Sequence, residues 1–317
     1  MSTLTVDHGS PEWHAIRQKY IGSSEISALF GLHSYGLTRW QLYHQKKGNL
    51  PEVFEASVMT QGKHFEPAIA SYAQEKFDIQ LRKVRRYLVD DACPGLGASM
   101  DYEEFGSGSL IPTELKWSLW GKEWEFDGDE LTRIPDSYLL QVQHQLAAAG
   151  APHAQLIAFT AGDAKRMIIP RSDEIISRIR AAVTAFWADV AADREPPVDF
   201  LADADAVADL ARMSPLRPVM LSPEWLPVLD EYRAMKATEK ASGEQAEAAK
   251  AKLLHHLIAE GKGFADQKCV ALCGTFKVTV SKIAENAGKL VTPEMVGTHV
   301  GGKAAHIRTT ISEVKGK

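Results

Sequence analysis

Cysteine is almost missing from this chain: Cys93, Cys269 and Cys273 are the only three in 317 residues. Three thiols cannot build a disulfide framework, and a thiol-poor chain of ordinary composition reads as cytosolic, within a bacterial host cell if it is phage-encoded. They are one short of the four that hold an iron–sulfur cluster. Cys269 and Cys273 have His255 and His256 as their nearest histidines, which is no zinc spacing, so they read as buried thiols. Long apolar runs are missing too. No stretch approaches the roughly 18 apolar residues of a membrane span, and the N-terminus has no basic stretch leading into an apolar one, so neither a membrane protein nor a secreted one is expected. Nor is there a basic arm, an internal repeat or a long low-complexity tract. The net charge is −5, and the only local basic cluster is Arg82, Lys83, Arg85 and Arg86. A nonspecific polyanion binder needs more clustered Lys and Arg than that, whereas a metal-ion hydrolase needs an acidic centre inside a basic rim.

What is present is enough chain for a full core and a clear change of character along it. The prolines of EPPVDF, at 195–200, stop one helix and begin an extended link, predicting a first domain over 1–198 and a second over 199–317. Within the first, Ser23 or Ser24 is expected to cap a short helix from Glu25 to Phe30, with Gly31 as its stop. Further helices are predicted over Thr38 to Lys47 and Val58 to Lys76, the latter with Phe65, Ile69 and Tyr72 on one apolar face and Glu66 off it. Strand-like runs at Ile79 to Val89, Gly97 to Tyr102 and Ser109 to Trp117 read as a small antiparallel sheet. A helix over Tyr138 to Ala149, strands over Ala154 to Thr160 and Arg166 to Pro170, and a long helix capped by Ser172 follow. The second domain reads as a helical hairpin broken near Ser242 and Gly243, followed by a small β-segment that pairs Thr275 to Ile283 with His306 to Ser312.

The chemistry concentrates at Asp101 and at Glu114-Leu115-Lys116. Strand alternation puts Glu114 and Lys116 on one face and turns Leu115 to the core. Two carboxylates, with the Leu115 carbonyl as a further oxygen, suit Mg²⁺ or Mn²⁺, which retain waters and bind phosphate oxygens. Such a site can activate water for in-line attack on a phosphodiester, with Lys116 orienting the nucleophile or stabilising developing charge. Glu-x-Lys by itself is cheap, with roughly one chance match in a chain of this length. It is equally the pattern of a cross-strand ion pair on a solvated sheet face. His144, on the helix after the sheet, reads as a half-exposed helix histidine, and Trp117, Trp120 and Trp124 fit either base stacking or sheet packing.

Four ordered blocks give the triplet its company: W-H-A-I-R with I-G-S-S-E-I between Trp13 and Ile26, G-K-H-F-E at Gly62 to Glu66, Asp101 followed by E-L-K, and Y-L-L-Q-V-Q at Tyr138 to Gln143. In these blocks the chain resembles the YqaJ-type viral recombinase family, to which phage lambda exonuclease is related, within the PD-(D/E)xK nuclease group. The resemblance runs from residue 11 to about residue 195. It implies an α/β fold with a central mixed sheet flanked by helices. It implies that Glu66, Asp101, Glu114 and the Leu115 carbonyl surround the metal ions, that Lys116 is catalytic and that Gln141 completes the site. Arg17 and Ser24 match positions that hold a terminal 5′-phosphate, and Tyr138 belongs to the same DNA-facing set. The implied activity is 5′-to-3′ digestion of double-stranded DNA ends by a ring-like homo-oligomer working with a single-strand annealing protein. An endonuclease of restriction or repair, or a non-catalytic DNA-end scaffold, would carry the same fold. Ser99 stands near where the group name puts a proline, and residues 199–317 have no counterpart in the compact lambda-type enzyme.

Overall fold

A computed structural model describes residues 2–6, 10–32, 36–51, 57–106, 111–118, 123–213, 222–261, 268–273, 276–283 and 306–313. The chain forms two compact units, Met1–Arg217 and Pro218–Lys317. The division falls after the expected 198/199 boundary because the link is fastened to the first unit: the buried Asp203 carboxylate accepts from Thr38 Oγ1 at 2.6 Å and from Gln41 Nε2 at 3.0 Å. An extended, proline-containing segment is therefore not a free linker when a buried side chain pins its end.

The first unit opens with β1 (Ser2–Thr5) and α1 (Pro11–Arg17), whose start is fixed by the Ser10 side chain accepting from Trp13 N. Ile26–Phe30 is a 3-10 turn rather than an α-helix, and no serine caps it; Gly31 ends it in the left-handed region at φ 71°, as its lack of a Cβ allows. Next come α2 (Arg39–Lys46), capped by Thr38, and α3 (Ser57–Phe77). In α3 the buried face is Ile69, Ala70 and Ala73, while Phe65 and Tyr72 are exposed, which corrects the expected stripe.

The strands β2 (Leu81–Lys83), β3 (Arg86–Val89), β4 (Gly97–Ser99), β5 (Tyr102–Glu104), β6 (Ile111–Trp117), β7 (Glu125–Asp127) and β8 (Glu130–Arg133) precede α4 (Asp136–Ala149). Then follow β9 (His153–Thr160), β10 (Asp163–Pro170), α5 (Asp173–Ala191), whose Ser172 cap is as predicted, and α6 (Ala204–Met213). The expected small antiparallel sheet is instead divided. β1, β3 and β4 form a three-stranded sheet, and the remainder join a seven-stranded sheet in the order β2-β5-β6-β9-β10-β8-β7. β6 pairs in parallel with β9, Glu114 opposite Leu156, so the chain must cross over between them, and α4 lies in that crossover. The sheet is therefore mixed and flanked by helices.

Alternation along the strands feeds two cores. Leu115 and Ile157 pack with Ile69, Ala70 and Ala73 of α3. Leu156 and Ala158 face the other way, toward Leu146 of α4, Ile176, Ile179 and Phe186 of α5, and Ile26. Each fully buried Leu, Ile or Phe contributes roughly 1.5–3 kcal/mol, which fixes the register of the strands that carry the polar residues between them.

In the second unit, α7 (Leu226–Gly261) runs unbroken through Ser242 and Gly243, so the expected hairpin is one helix. A single glycine costs a helix only about 1 kcal/mol. β11 (Lys268–Cys273), which the sequence reading missed, β12 (Phe276–Ile283) and β13 (His306–Glu313) form an antiparallel sheet. Cys269 and Cys273 lie on β11; their side chains, and Trp120, lie outside the described residues. Among the described residues no helix is long and apolar enough to cross a membrane.

Candidate active site

The site forms where β5 stops short of β6. Their pairing reaches only Tyr102 opposite Thr113, so from Glu114 onward that edge of β6 has no strand beside it among the described residues. Asp101, the residue before β5, takes the first step of the missing ladder: its Oδ2 accepts from Leu115 N at 3.1 Å. A strand residue presents its N–H and C=O to the same edge, so the Leu115 carbonyl faces the Asp101 side. The side chain of Leu115 goes into the α3 core, which leaves Glu114 and Lys116 together on the opposite face, as alternation predicts.

Over that face passes α4. Gln141 and Gln145, one turn apart, reach down to the buried Glu114. Gln141 Nε2 donates to Oε1 at 2.6 Å, and Gln145 Nε2 donates to Oε2 at 2.6 Å while lying 3.5 Å from the carbonyl of Ser99. Lys116 Nζ also donates to Glu114 Oε1. It lies 4.9 Å from the centre of the Tyr138 ring, in cation–π range, and Tyr138 is backed by Trp124 at 5.4 Å.

Burial, followed by the Glu114 charge, holds the Asp101 carboxyl well above the usual carboxylate range; Lys116 opposes this and Glu66 adds to it. Burial alone would lower the Lys116 ammonium, but Glu114 and Asp101 override it and hold its pKa above the ordinary lysine value. Two acids crowded together under burial form a donor set that a hard divalent cation would stabilise, and Oδ1 of Asp101 takes no hydrogen bond among the described residues. The residues thus fit Mg²⁺ or Mn²⁺ on Asp101, Glu114 and the Leu115 carbonyl. Glu66 stands slightly apart. It comes from α3 and is bound at 2.8 Å by Lys83 Nζ of β2, and among the described residues no three His, Cys, Asp or Glu side chains form a closed metal cage.

Arg17 and Ser24 sit in a second polar cluster. Arg17 packs over Trp13 at 4.6 Å and donates to Glu25 Oε1 at 2.7 Å, while Lys46 Nζ and Gly22 N each reach Glu25 Oε2 at 2.8 Å. Ser24, next to Glu25, is exposed. Burial would raise the Glu25 carboxyl, but Lys46 and Arg17 hold it down at about 2. The loop is stitched to the sheet that leads into Asp101, with Ile21 N donating to the Gly95 carbonyl at 2.7 Å and Gly97 N donating to that of Ile21 at 3.2 Å.

Sequence reasoning missed Gln145, Glu25, Lys46 and Lys83. The four-residue step from Gln141 was a legible signal for Gln145, and Glu25 stood inside the quoted I-G-S-S-E-I block. Nothing local marked Lys46, and Lys83, although it stood in the basic cluster, gave no sign of its pairing with Glu66; both partners come from distant segments. His144 is not half-exposed. It is fully buried, and its Nε2 lies 2.9 Å from the Gly97 carbonyl. The Arg82 and Arg86 side chains pair with the buried Glu103, so much of the basic cluster is already neutralised.

Residues 12–152 match the family model of the YqaJ-like viral recombinase domain. The chain is 29% identical over 196 residues to the Uncharacterized protein YqaJ of Bacillus subtilis (strain 168), which spans 59% of this chain and 59% of that protein's length. Among solved structures it is similar to an alkaline exonuclease (LHK-Exo) from Laribacter hongkongensis, at 19% identity and a TM-score of 0.44, covering 63% of this chain and 100% of that one. It is similar also to a phage related exonuclease from Haemophilus somnus 129PT, at 11% identity and a TM-score of 0.42, covering 57% of this chain and 98% of that one.

Proposed function

We propose that this chain, which carries a YqaJ-like viral recombinase domain over residues 12–152, is a Mg²⁺-dependent DNA exonuclease that resects double-stranded ends in the 5′-to-3′ direction. The observation that supports it best is the Asp101–Glu114 pair with Lys116 at an open strand edge. A solvated ion pair would not bury Glu114 or push Asp101 above its usual range. A divalent cation held there by Asp101, Glu114 and the Leu115 carbonyl, with Glu66 nearby, would lower the pKa of a bound water and polarise the scissile phosphate. The chain's own residues do the rest. Lys116, kept charged by its two acids, faces the developing negative charge; Gln141 keeps the Glu114 carboxylate turned toward it; Tyr138 shields Lys116 from solvent.

End specificity is assigned to Arg17 and Ser24, which offer a guanidinium and a hydroxyl to a terminal 5′-phosphate. A ring-like homo-oligomer that encloses the duplex, and a single-strand annealing protein that takes up the exposed strand, complete the proposal on family grounds. The deciding test incubates linear and covalently closed circular DNA with the protein and Mg²⁺, with and without chelator. Loss of the linear form alone, abolished by chelator, is the expected result. Nicking of circles would make it an endonuclease, and loss of neither would make it an end-binding scaffold.

A further inference from the structure

The strongest unassigned feature lies on the buried side of Glu114. Its two oxygens are held by different turns of α4: Oε1 by Gln141, which faces the open edge beside Lys116, and Oε2 by Gln145, which is only 1% exposed. Gln143, between them, is used elsewhere. Its Nε2 donates to the Pro170 carbonyl at 2.7 Å and its Oε1 accepts from Ser172 N at 2.9 Å, tying α4 to the start of α5. Gln145 is therefore not a general packing glutamine, because it spends its amide hydrogens on the acid and lies 3.5 Å from the carbonyl of Ser99, two residues before Asp101. It thus reaches both the strand carrying Glu114 and the segment carrying Asp101.

We propose that Gln145 is a positioning residue for the metal site: by holding Oε2 on the buried side, it fixes the torsion of the Glu114 carboxylate so that Oε1 is presented beside Gln141 and Lys116 at the open edge. Neutrality matters to this role. An amide donates to the carboxylate without adding charge, whereas a lysine or arginine here would neutralise Glu114 and compete with a cation. A group that orients a ligand in this way typically changes metal affinity by 10–100-fold when it is lost. This inference rests on the metal-hydrolase reading above, and its test keeps the two apart.

The test is Mn²⁺ binding to the full chain, followed by electron paramagnetic resonance of the free ion, for wild type, Asp101→Ala, Gln145→Met and Gln145→Asn. Methionine keeps the volume of glutamine without an N–H; asparagine keeps the amide on a shorter stem. Gln145→Met is expected to raise the Mn²⁺ dissociation constant at least tenfold with an unchanged near-ultraviolet circular dichroism spectrum, and Gln145→Asn to recover part of that loss. Wild-type affinity in Gln145→Met would overturn the positioning role while leaving the hydrolase reading intact. Loss of the folded spectrum in both variants would also overturn it, since the residue would then be required for the fold. Absence of Mn²⁺ binding in wild type would instead defeat the hydrolase reading and this inference with it.

Discussion

Lys46 of α2 and Glu25 of the turn before it meet at 2.8 Å with both side chains almost wholly buried. Removing one partner from a buried pair strands the other charge, at a cost of about 3–5 kcal/mol. Glu25→Gln is therefore expected to lower the unfolding free energy at pH 7 by that order, read from urea titrations. The sign with pH follows from the lowered carboxyl, which lies at about 2 in the folded chain against an ordinary value of 4.5. Above 4.5 the contribution is fully present, and it fades as pH falls toward 2. Equal stability of variant and wild type at pH 7 would refute the account.

On the proposed metal site, Asp101→Asn is expected to reduce Mg²⁺-dependent digestion of linear DNA by on the order of 100-fold or more, since it would remove a charged ligand. The metal-free variant should melt no lower than wild type, because Asp101 sits beside Glu114 under burial and repulsion that its amide would not feel. Calorimetry without metal, beside an activity assay with it, checks both halves. A destabilised but active variant would contradict both.

Arg17→Ala, on the proposed end specificity, is expected to lower the preference for 5′-phosphorylated over 5′-hydroxyl ends, measured as a ratio of initiation rates. Digestion after initiation should change less. Equal initiation on both ends by the wild type would remove the assignment of Arg17 and Ser24.

His144 makes the first unit acid-sensitive. Burial lowers its imidazole to about 4, although the Gly97 and Ile21 backbone and the charges of Glu25 and Asp90 pull the other way. Between the ordinary imidazole value of 6.5 and about 4 the unfolded chain binds the extra proton and the folded chain does not. Stability therefore falls as pH drops through that window, by roughly 3 kcal/mol. His144→Gln keeps a donor for the Gly97 carbonyl and should flatten this part of the profile in denaturation curves taken from pH 7 to pH 4.

Helices α2 to α5 and the strand face of the site were legible because each depends on local spacing. Ser172, Thr38 and Gly31 act within a few residues, and the alternation of Glu114, Leu115 and Lys116 is a property of one strand. The sheet order was not legible. That β6, antiparallel to β5 on one edge, takes β9 as a parallel neighbour on the other depends on Leu156 and Ile157, some forty residues on, and nothing near Glu114 encodes it. Separations of 17 and 21 residues likewise hid Lys83 from Glu66 and Lys46 from Glu25. His144 was misjudged for a related reason. A polar residue on a helix reads as surface until the partner that satisfies it, here the Gly97 carbonyl, is known.

The parallel pairing of β6 with β9 also sets an order of assembly. Asp101 and Glu114 leave the ribosome well before Leu156, by a few seconds at about 5–20 residues per second. Until β9 arrives, β6 lacks its parallel partner and the crossover that brings Gln141 and Gln145 over Glu114 has nothing to close onto. A nascent chain, or one broken between α4 and β9, thus carries the acids without the assembled centre. On the proposed function, the activity would in this way be tied to completion of the domain, a safeguard for any cell whose own genome would be a substrate.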